Sequence, residues 1–161
     1  DGERTGTGVA IYANGMRYEG NFRNALHHGI GTLSGPNGYV YEGSWVNGVK
    51  EGQGTITYPD GARYEGMMAA GQRAGAGTLT MPDGLRYEGM WKAGQIDGTG
   101  ILTQANGDIY EGAFKAGKRE GQGKVTYANG DVYEGARPKP KLRTRDREIG
   151  GRLVGGAAAQ A

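Results

Sequence analysis

The chain has no cysteine in its 161 residues, so neither a disulfide framework nor a thiolate metal site is open to it, and its redox compartment is not constrained. Histidine is nearly absent too. His27 and His28 are the only two, adjacent and expected in a turn, where neighbours do not converge on one ion. No metal is therefore expected within one chain; a site shared across a dimer stays open. No apolar run approaches the ~18 residues of a membrane-spanning helix. Catalytic signatures are also missing. The pattern Gly-x-x-x-Gly-x-Gly, as in Gly48 to Gly54, superficially resembles a phosphate loop, but it recurs throughout, lacks the Gly-Lys-Ser/Thr ending and precedes no helix. The glutamates are too regularly spaced to read as a tuned acid/base pair. These absences argue against an enzyme and against a cofactor.

Glycine, by contrast, is abundant, at 34 residues, and it is periodic. Tyr-Glu-Gly occurs six times, with tyrosines at Tyr18, Tyr41, Tyr64, Tyr87, Tyr110 and Tyr133, each 23 residues after the last. Such a strict period marks a repeat array in which each unit packs on its neighbours. Within each unit an Asn-Gly or Asp-Gly pair recurs at Asn14, Asn37, Asp60, Asp83, Asn106 and Asn129. Both residue types tolerate positive φ, so this pair is expected to form a tight hairpin turn. A second turn is expected near Gly48, Gly71, Gly94 and Gly117. The runs between turns are too short for helices and rich in Thr, Ile, Leu and Tyr, so two strands per repeat, joined as a meander, is the reading.

Strand parity then sorts the side chains. Tyr41, Gly43 and Trp45 share one face, as do Tyr87, Gly89 and Trp91, and in the following strand Gly52, Gly54, Ile56 and Tyr58. This face carries an aromatic slot (Phe22, Trp45, Met68, Trp91, Phe114) and an aliphatic one (Ala10, Leu33, Ile56, Leu79, Leu102, Val125). Its glycines are expected to let a neighbouring ring lie flat across the backbone. The opposite face carries Glu19, Glu42, Glu65, Glu88, Glu111 and Glu134, with Arg17, Arg63 and Arg86 two residues before their glutamates. About twelve strands at ~4.8 Å spacing would make a rod on the order of 55–60 Å long.

Tyr-Glu-Gly, the aromatic slot, Gly-x-Gly, the aliphatic slot and Asp/Asn-Gly together resemble the MORN (membrane occupation and recognition nexus) repeat family. The resemblance covers residues 2–136, as five full repeats with a partial one at each end. It implies an all-β fold: an elongated single-layer antiparallel meander, one hairpin per 23-residue repeat, curled into a groove. For function it implies scaffolds, dimerisation modules and partner-binding grooves, with lipid binding as a disputed proposal.

Two segments are expected, a repeat array over 1–136 and a basic, disordered tail over 137–161. The tail holds seven Lys/Arg against Asp146 and Glu148, which is +5; the overall +2 therefore leaves the array at −3. Arg137-Pro138-Lys139-Pro140 stops the strand pattern, since proline cannot donate to a ladder. A competing reading of the tail is a short helix bearing Leu142, Ile149 and Leu153 folded into the groove, interrupted by Gly150 and Gly151. At the other end Gly2, Gly6 and Gly8 match Gly48, Gly52 and Gly54, so either further repeats precede Asp1 or a strand edge is open there.

The leading functional expectation is a non-enzymatic protein-interaction scaffold that also self-associates. Its partner groove or core is made of Tyr18, Phe22, Tyr41, Trp45, Tyr64, Tyr87, Trp91, Tyr110, Phe114 and Tyr133. A protein or peptide partner and a homodimer follow from it. The alternative is peripheral binding to anionic lipid through Arg137, Lys139, Lys141, Arg143, Arg145 and Arg147. Nucleic acid is disfavoured, since no aromatics interleave with those basic residues for base stacking. Cytoplasmic or peripheral-membrane placement goes with these readings.

Overall fold

Turns of two kinds alternate along the chain and dictate its architecture. The computed structural model describes residues 6–136; the predicted tail lies outside the described residues. Twelve strands follow one another: β1 (Gly6–Ile11), β2 (Arg17–Arg23), β3 (Leu26–Ser34), β4 (Val40–Val46), β5 (Val49–Thr57), β6 (Arg63–Ala69), β7 (Gln72–Thr80), β8 (Arg86–Lys92), β9 (Gln95–Thr103), β10 (Ile109–Lys115), β11 (Lys118–Thr126) and β12 (Val132–Ala136). They form one open sheet in sequential order, each antiparallel to its neighbours. The single-layer meander, at two strands per repeat, is as the sequence predicts.

The turns differ from expectation in one respect. The two-residue turn lies between even and odd strands, at Asn24-Ala25, Asn47-Gly48, Ala70-Gly71, Ala93-Gly94 and Ala116-Gly117. Both residues there have positive φ, for example 53° at Ala70 and 79° at Gly71. That is the type I′ geometry that twists with the strands. The Asn-Gly and Asp-Gly pairs sit instead in five-residue loops between odd and even strands. There Gly61 N donates to Tyr58 O at 2.9 Å and Tyr58 N to Ala62 O at 2.9 Å, while only Gly61 of the Asp-Gly pair has positive φ. The polar residue contributes its side chain: Asp60 Oδ1 accepts from Ala62 N at 2.9 Å, and Asn14, Asn37, Asp83, Asn106 and Asn129 do the same. Asn and Asp are therefore selected here as acceptors, not for positive φ.

Each even–odd hairpin also carries a bulge. Gly43 pairs with Gly54 but Trp45 with Lys50, so Ser44 alone faces Glu51, Gly52 and Gln53. The same shift recurs in the other four even–odd hairpins. Because two residues are added, parity survives and the two faces stay separate.

Neighbouring repeats are tied at the tight turns. Gly71 N donates to Lys50 O at 3.1 Å, and Gly94 N to Arg73 O at 3.0 Å. Side chains one repeat upstream accept beside them: Glu51 Oε1 takes Ala70 N at 2.8 Å and Asp97 Oδ2 takes Ala116 N at 3.1 Å. On the glutamate face three ion pairs form, Arg17–Glu19 at 3.0 Å, Arg63–Glu65 at 3.6 Å and Arg86–Glu88 at 3.9 Å. All are half exposed and worth at most ~1 kcal/mol each.

Candidate functional site

The aromatic face is built on paired glycines. A Cβ at Gly54 would lie 2.5 Å from Tyr41 Cε1 and 2.6 Å from its Oη, and one at Gly43 would meet the Gly54 backbone. The Tyr41 ring occupies that space. Its hydroxyl donates to Ser44 O at 2.8 Å, the carbonyl of the residue that the bulge leaves without a partner on the next strand. Tyr18, Tyr64, Tyr87 and Tyr110 repeat this bond to Asn21, Met67, Met90 and Ala113. Glycine pair, bulge and tyrosine are thus one device: the bulge frees a carbonyl, and the flat ring both covers the glycines and satisfies it.

Rings from adjacent repeats then meet edge to face. Trp45 stands between Tyr18 and Tyr41, at 5.5 and 5.1 Å between centroids; Trp91 stands likewise between Tyr64 and Tyr87, and Phe114 between Tyr87 and Tyr110. The indoles donate to Gly31 O and Gly77 O, at 3.2 and 3.0 Å. Met68 fills the slot between Tyr41 and Tyr64. The five tyrosines from Tyr18 to Tyr110 are at most 1 % exposed, and Phe22, Trp45, Trp91 and Phe114 at most 6 %. Tyr133, on β12, is half-buried. Burial pushes the Tyr41 and Tyr87 hydroxyls up to about 12, and raises Tyr18, Tyr39, Tyr58 and Tyr64 in the same direction.

Sequence reasoning missed a row of cations and an imidazole on this same face. The second residue after each tight turn, opposite the aromatic slot, is His27, Lys50, Arg73, Ile96 or Arg119. Lys50 Nζ donates to Tyr39 Oη at 2.6 Å. The Arg73 guanidinium lies 4.3 Å from the centre of the Trp91 ring and donates to Gly94 O, and Arg119 stands 5.1 Å from that of Tyr110. Burial lowers the pKa of Lys50 and of Arg73. The signal was available: these positions lie two residues before the first glycine of Gly-x-Gly, in step with the tryptophans.

The histidines are not in a turn; both lie in β3. His27 stacks on Tyr18 with centroids 3.7 Å apart and bonds Tyr12 Oη at 2.6 Å, and burial lowers its pKa. On the other face, His28 Nδ1 accepts from Asn47 N at 3.1 Å. Among the described residues no group of three or more His, Cys, Asp or Glu could hold a metal ion, and no helix is long and apolar enough to cross a membrane.

A groove of about 910 Å³ lies on the opposite, glutamate face, over β5 to β10. Met67, Met90 and Ile101 line it and stay 36–41 % exposed, with Ala76, Thr78 and Thr99 between them and Glu65, Glu88 and Glu111 alongside. Arg63 and Arg86 pair with the first two glutamates; Ile109 stands where the third would have its arginine. The groove's floor includes the backs of the same glycine pairs, Gly66–Gly77 and Gly89–Gly100, that the tyrosines cover from the other side. The tail residues Arg137, Lys139, Lys141, Arg143, Arg145 and Arg147 lie outside the described residues.

An open, single-layer β-repeat sheet with one ring-packed face and one grooved face is the class of protein these features define. A family model for the MORN repeat matches residues 1–17, 18–38, 41–63, 64–86, 87–109 and 110–132, and the chain belongs to that family. A comparison with curated proteins gives no match. Among solved structures, the chain is similar to the TCP domain of Drosophila melanogaster SAS-4 (dCPAP), solved with a proline-rich motif of Ana2 (dSTIL). The identity is 19 %, the TM-score 0.53, and the likeness covers 84 % of this chain and 77 % of that one. The TCP10 domain of Danio rerio CPAP, solved with a STIL peptide, matches at 14 % identity and TM-score 0.30 over 82 % of this chain and 81 % of that one. At 19 % identity the likeness to the Drosophila domain concerns the fold alone.

Proposed function

We infer that the chain is a non-enzymatic protein-interaction scaffold whose glutamate-face groove takes an extended, basic and partly apolar peptide. One observation carries this reading: three large apolar side chains remain exposed in a groove flanked by glutamates, while the rings of the other face are buried. Exposed apolar surface of this kind is a docking feature, and the flanking carboxylates select and steer a cationic partner. The Drosophila domain was solved with a proline-rich motif, and proline-rich segments in general favour an extended backbone that loses little entropy on binding. The candidate rings serve this function from behind, by fixing the sheet that presents the groove.

Self-association belongs to the same proposal. Among the described residues β1 and β12 are the sheet edges, and unpaired ladders are templates for another strand. No observation favours the anionic-lipid alternative; the groove is flanked by carboxylates. The test is fluorescence anisotropy of a short labelled peptide alternating lysine with proline and leucine, titrated with the full chain. Saturable binding that Met90→Ser and Glu88→Lys each weaken at least tenfold is expected. No binding, or binding that neither substitution changes, overturns the assignment.

A further inference from the structure

We propose that the partner crosses the strands of this groove as a left-handed polyproline II helix, with a cation at every third residue, in step with the 23-residue repeat. The inference rests on the groove assignment above and adds the ligand's direction, conformation and residue spacing.

Three features of the groove carry it. The first is direction. The floor is a file of glycines paired from strand to strand: Gly66 with Gly77, Gly77 with Gly89, Gly89 with Gly100 and Gly100 with Gly112. One wall follows the same pairings through Glu65, Thr78, Glu88, Ile101 and Glu111. The other holds Met67, Ala76, Met90 and Thr99. The trough therefore runs across the strands, along the axis of the repeats. Its walls stand two residues apart on each even strand, about 7 Å.

The second is period. Equivalent residues recur every two strands, about 9.6 Å at ~4.8 Å per strand. A polyproline II helix returns to the same side every three residues, about 9.3 Å at ~3.1 Å each. Over the two repeats from Glu65 to Glu111 the mismatch is about 0.6 Å. A ligand β-strand presents one side every ~6.6 Å and is out of step within one repeat. An α-helix, ~10–12 Å across, is too wide for the trough.

The third is chemistry. A polyproline II helix is a rod with three edges, and each edge takes one residue in three. An edge of lysine or arginine meets Glu65, Glu88 and Glu111, a second, apolar edge meets Met67 and Met90, and the third faces solvent. The side chains of Glu65 and Glu88 stay 61 % and 57 % exposed beside their arginines, which leaves them lone pairs for a ligand cation. Lys124, opposite Glu111, ends the acidic run on that side. One triplet of the ligand is thus read by one repeat of the protein.

The test is an anisotropy titration of the full chain with two labelled nonapeptides of identical composition. One is three Lys-Pro-Leu triplets; in its isomer the three lysines stand two residues apart. The triplet peptide should bind at least tenfold more tightly than the isomer. Glu88→Gln should narrow that advantage about threefold. It should vanish in Glu65→Gln/Glu88→Gln/Glu111→Gln, a set of exposed side chains whose folding is verified by the urea midpoint. Equal affinity for the two peptides, both weakened by Met90→Ser, keeps the groove and overturns the register. Tighter binding of the isomer, or an advantage that survives in the triple variant, overturns it as well. Binding of neither peptide removes the groove assignment and this inference with it.

Discussion

Met90 and Trp91 are neighbours in β8, yet one stands 41 % exposed in a groove and the other is 3 % exposed between two tyrosines. The contrast holds for the whole sheet. One face buries rings against paired glycines and closes its bulge carbonyls; the other keeps glutamates, threonines and methionines in solvent. The same glycines serve both faces, giving room for a ring on one side and a floor on the other. A single layer can therefore divide its labour by parity: one face folds the protein and the other is free to recognise a partner.

High pH should break the ring face most completely. Tyr41 and Tyr87 are held at about 12 by burial, above the ordinary tyrosine value of about 10. Their contribution to stability is present below pH ~10 and is lost as pH rises towards 12, because only the unfolded chain can ionise there. Absorbance at 295 nm should show the phenolate of the buried tyrosines appearing together with loss of the sheet signal, as a step beyond the fraction that the exposed Tyr12 can give. Gly54→Val should come next, since its side chain would occupy the Tyr41 ring position. A loss of about 3 kcal/mol in urea unfolding is expected, against less than about 0.5 kcal/mol for Gln53→Val on the other face.

The tight turns allow a change of the opposite sign. Ala70, Ala93 and Ala116 hold φ near 50° without the side chain that suits it. Replacing any of them with asparagine should stabilise by roughly 0.5–1 kcal/mol, read as an upward shift of the urea midpoint at constant slope. The smallest effect is expected on the glutamate face. Glu88→Gln removes one exposed pair with Arg86 and should change stability by less than about 0.5 kcal/mol, while weakening the binding of a basic peptide.

Much of this fold was legible. A fixed period, glycine at fixed offsets and parity between turns suffice to place twelve strands and to sort Tyr64 from Glu65. What parity alone does not tell is which turn is tight. Asp60-Gly61 fits a two-residue hairpin as well as a five-residue loop, and only the bulge at Gly75 shows that Ala70-Gly71 must take the sharper geometry. The cations were hidden because Lys50 and Arg73 read as solvent residues, although they fall in step with Trp45 and Trp91. The groove was hidden for a related reason. Rings attract attention as binding surface, whereas in a one-layer sheet they are consumed by packing and the free apolar area falls to Met67, Met90 and Ile101.

The division of labour is tested most directly by substituting the two neighbours in β8 and measuring urea stability and peptide affinity on each variant. Trp91→Ala should cost about 3–4 kcal/mol, and Met90→Ala less than about 1 kcal/mol. Trp91→Phe, which keeps a ring in the slot, should bind the lysine–proline–leucine peptide as the parent does, whereas Met90→Ala should bind it at least tenfold more weakly. Full peptide binding by Met90→Ala, with binding lost in a folded Trp91→Phe protein, would place recognition on the aromatic face and contradict the account.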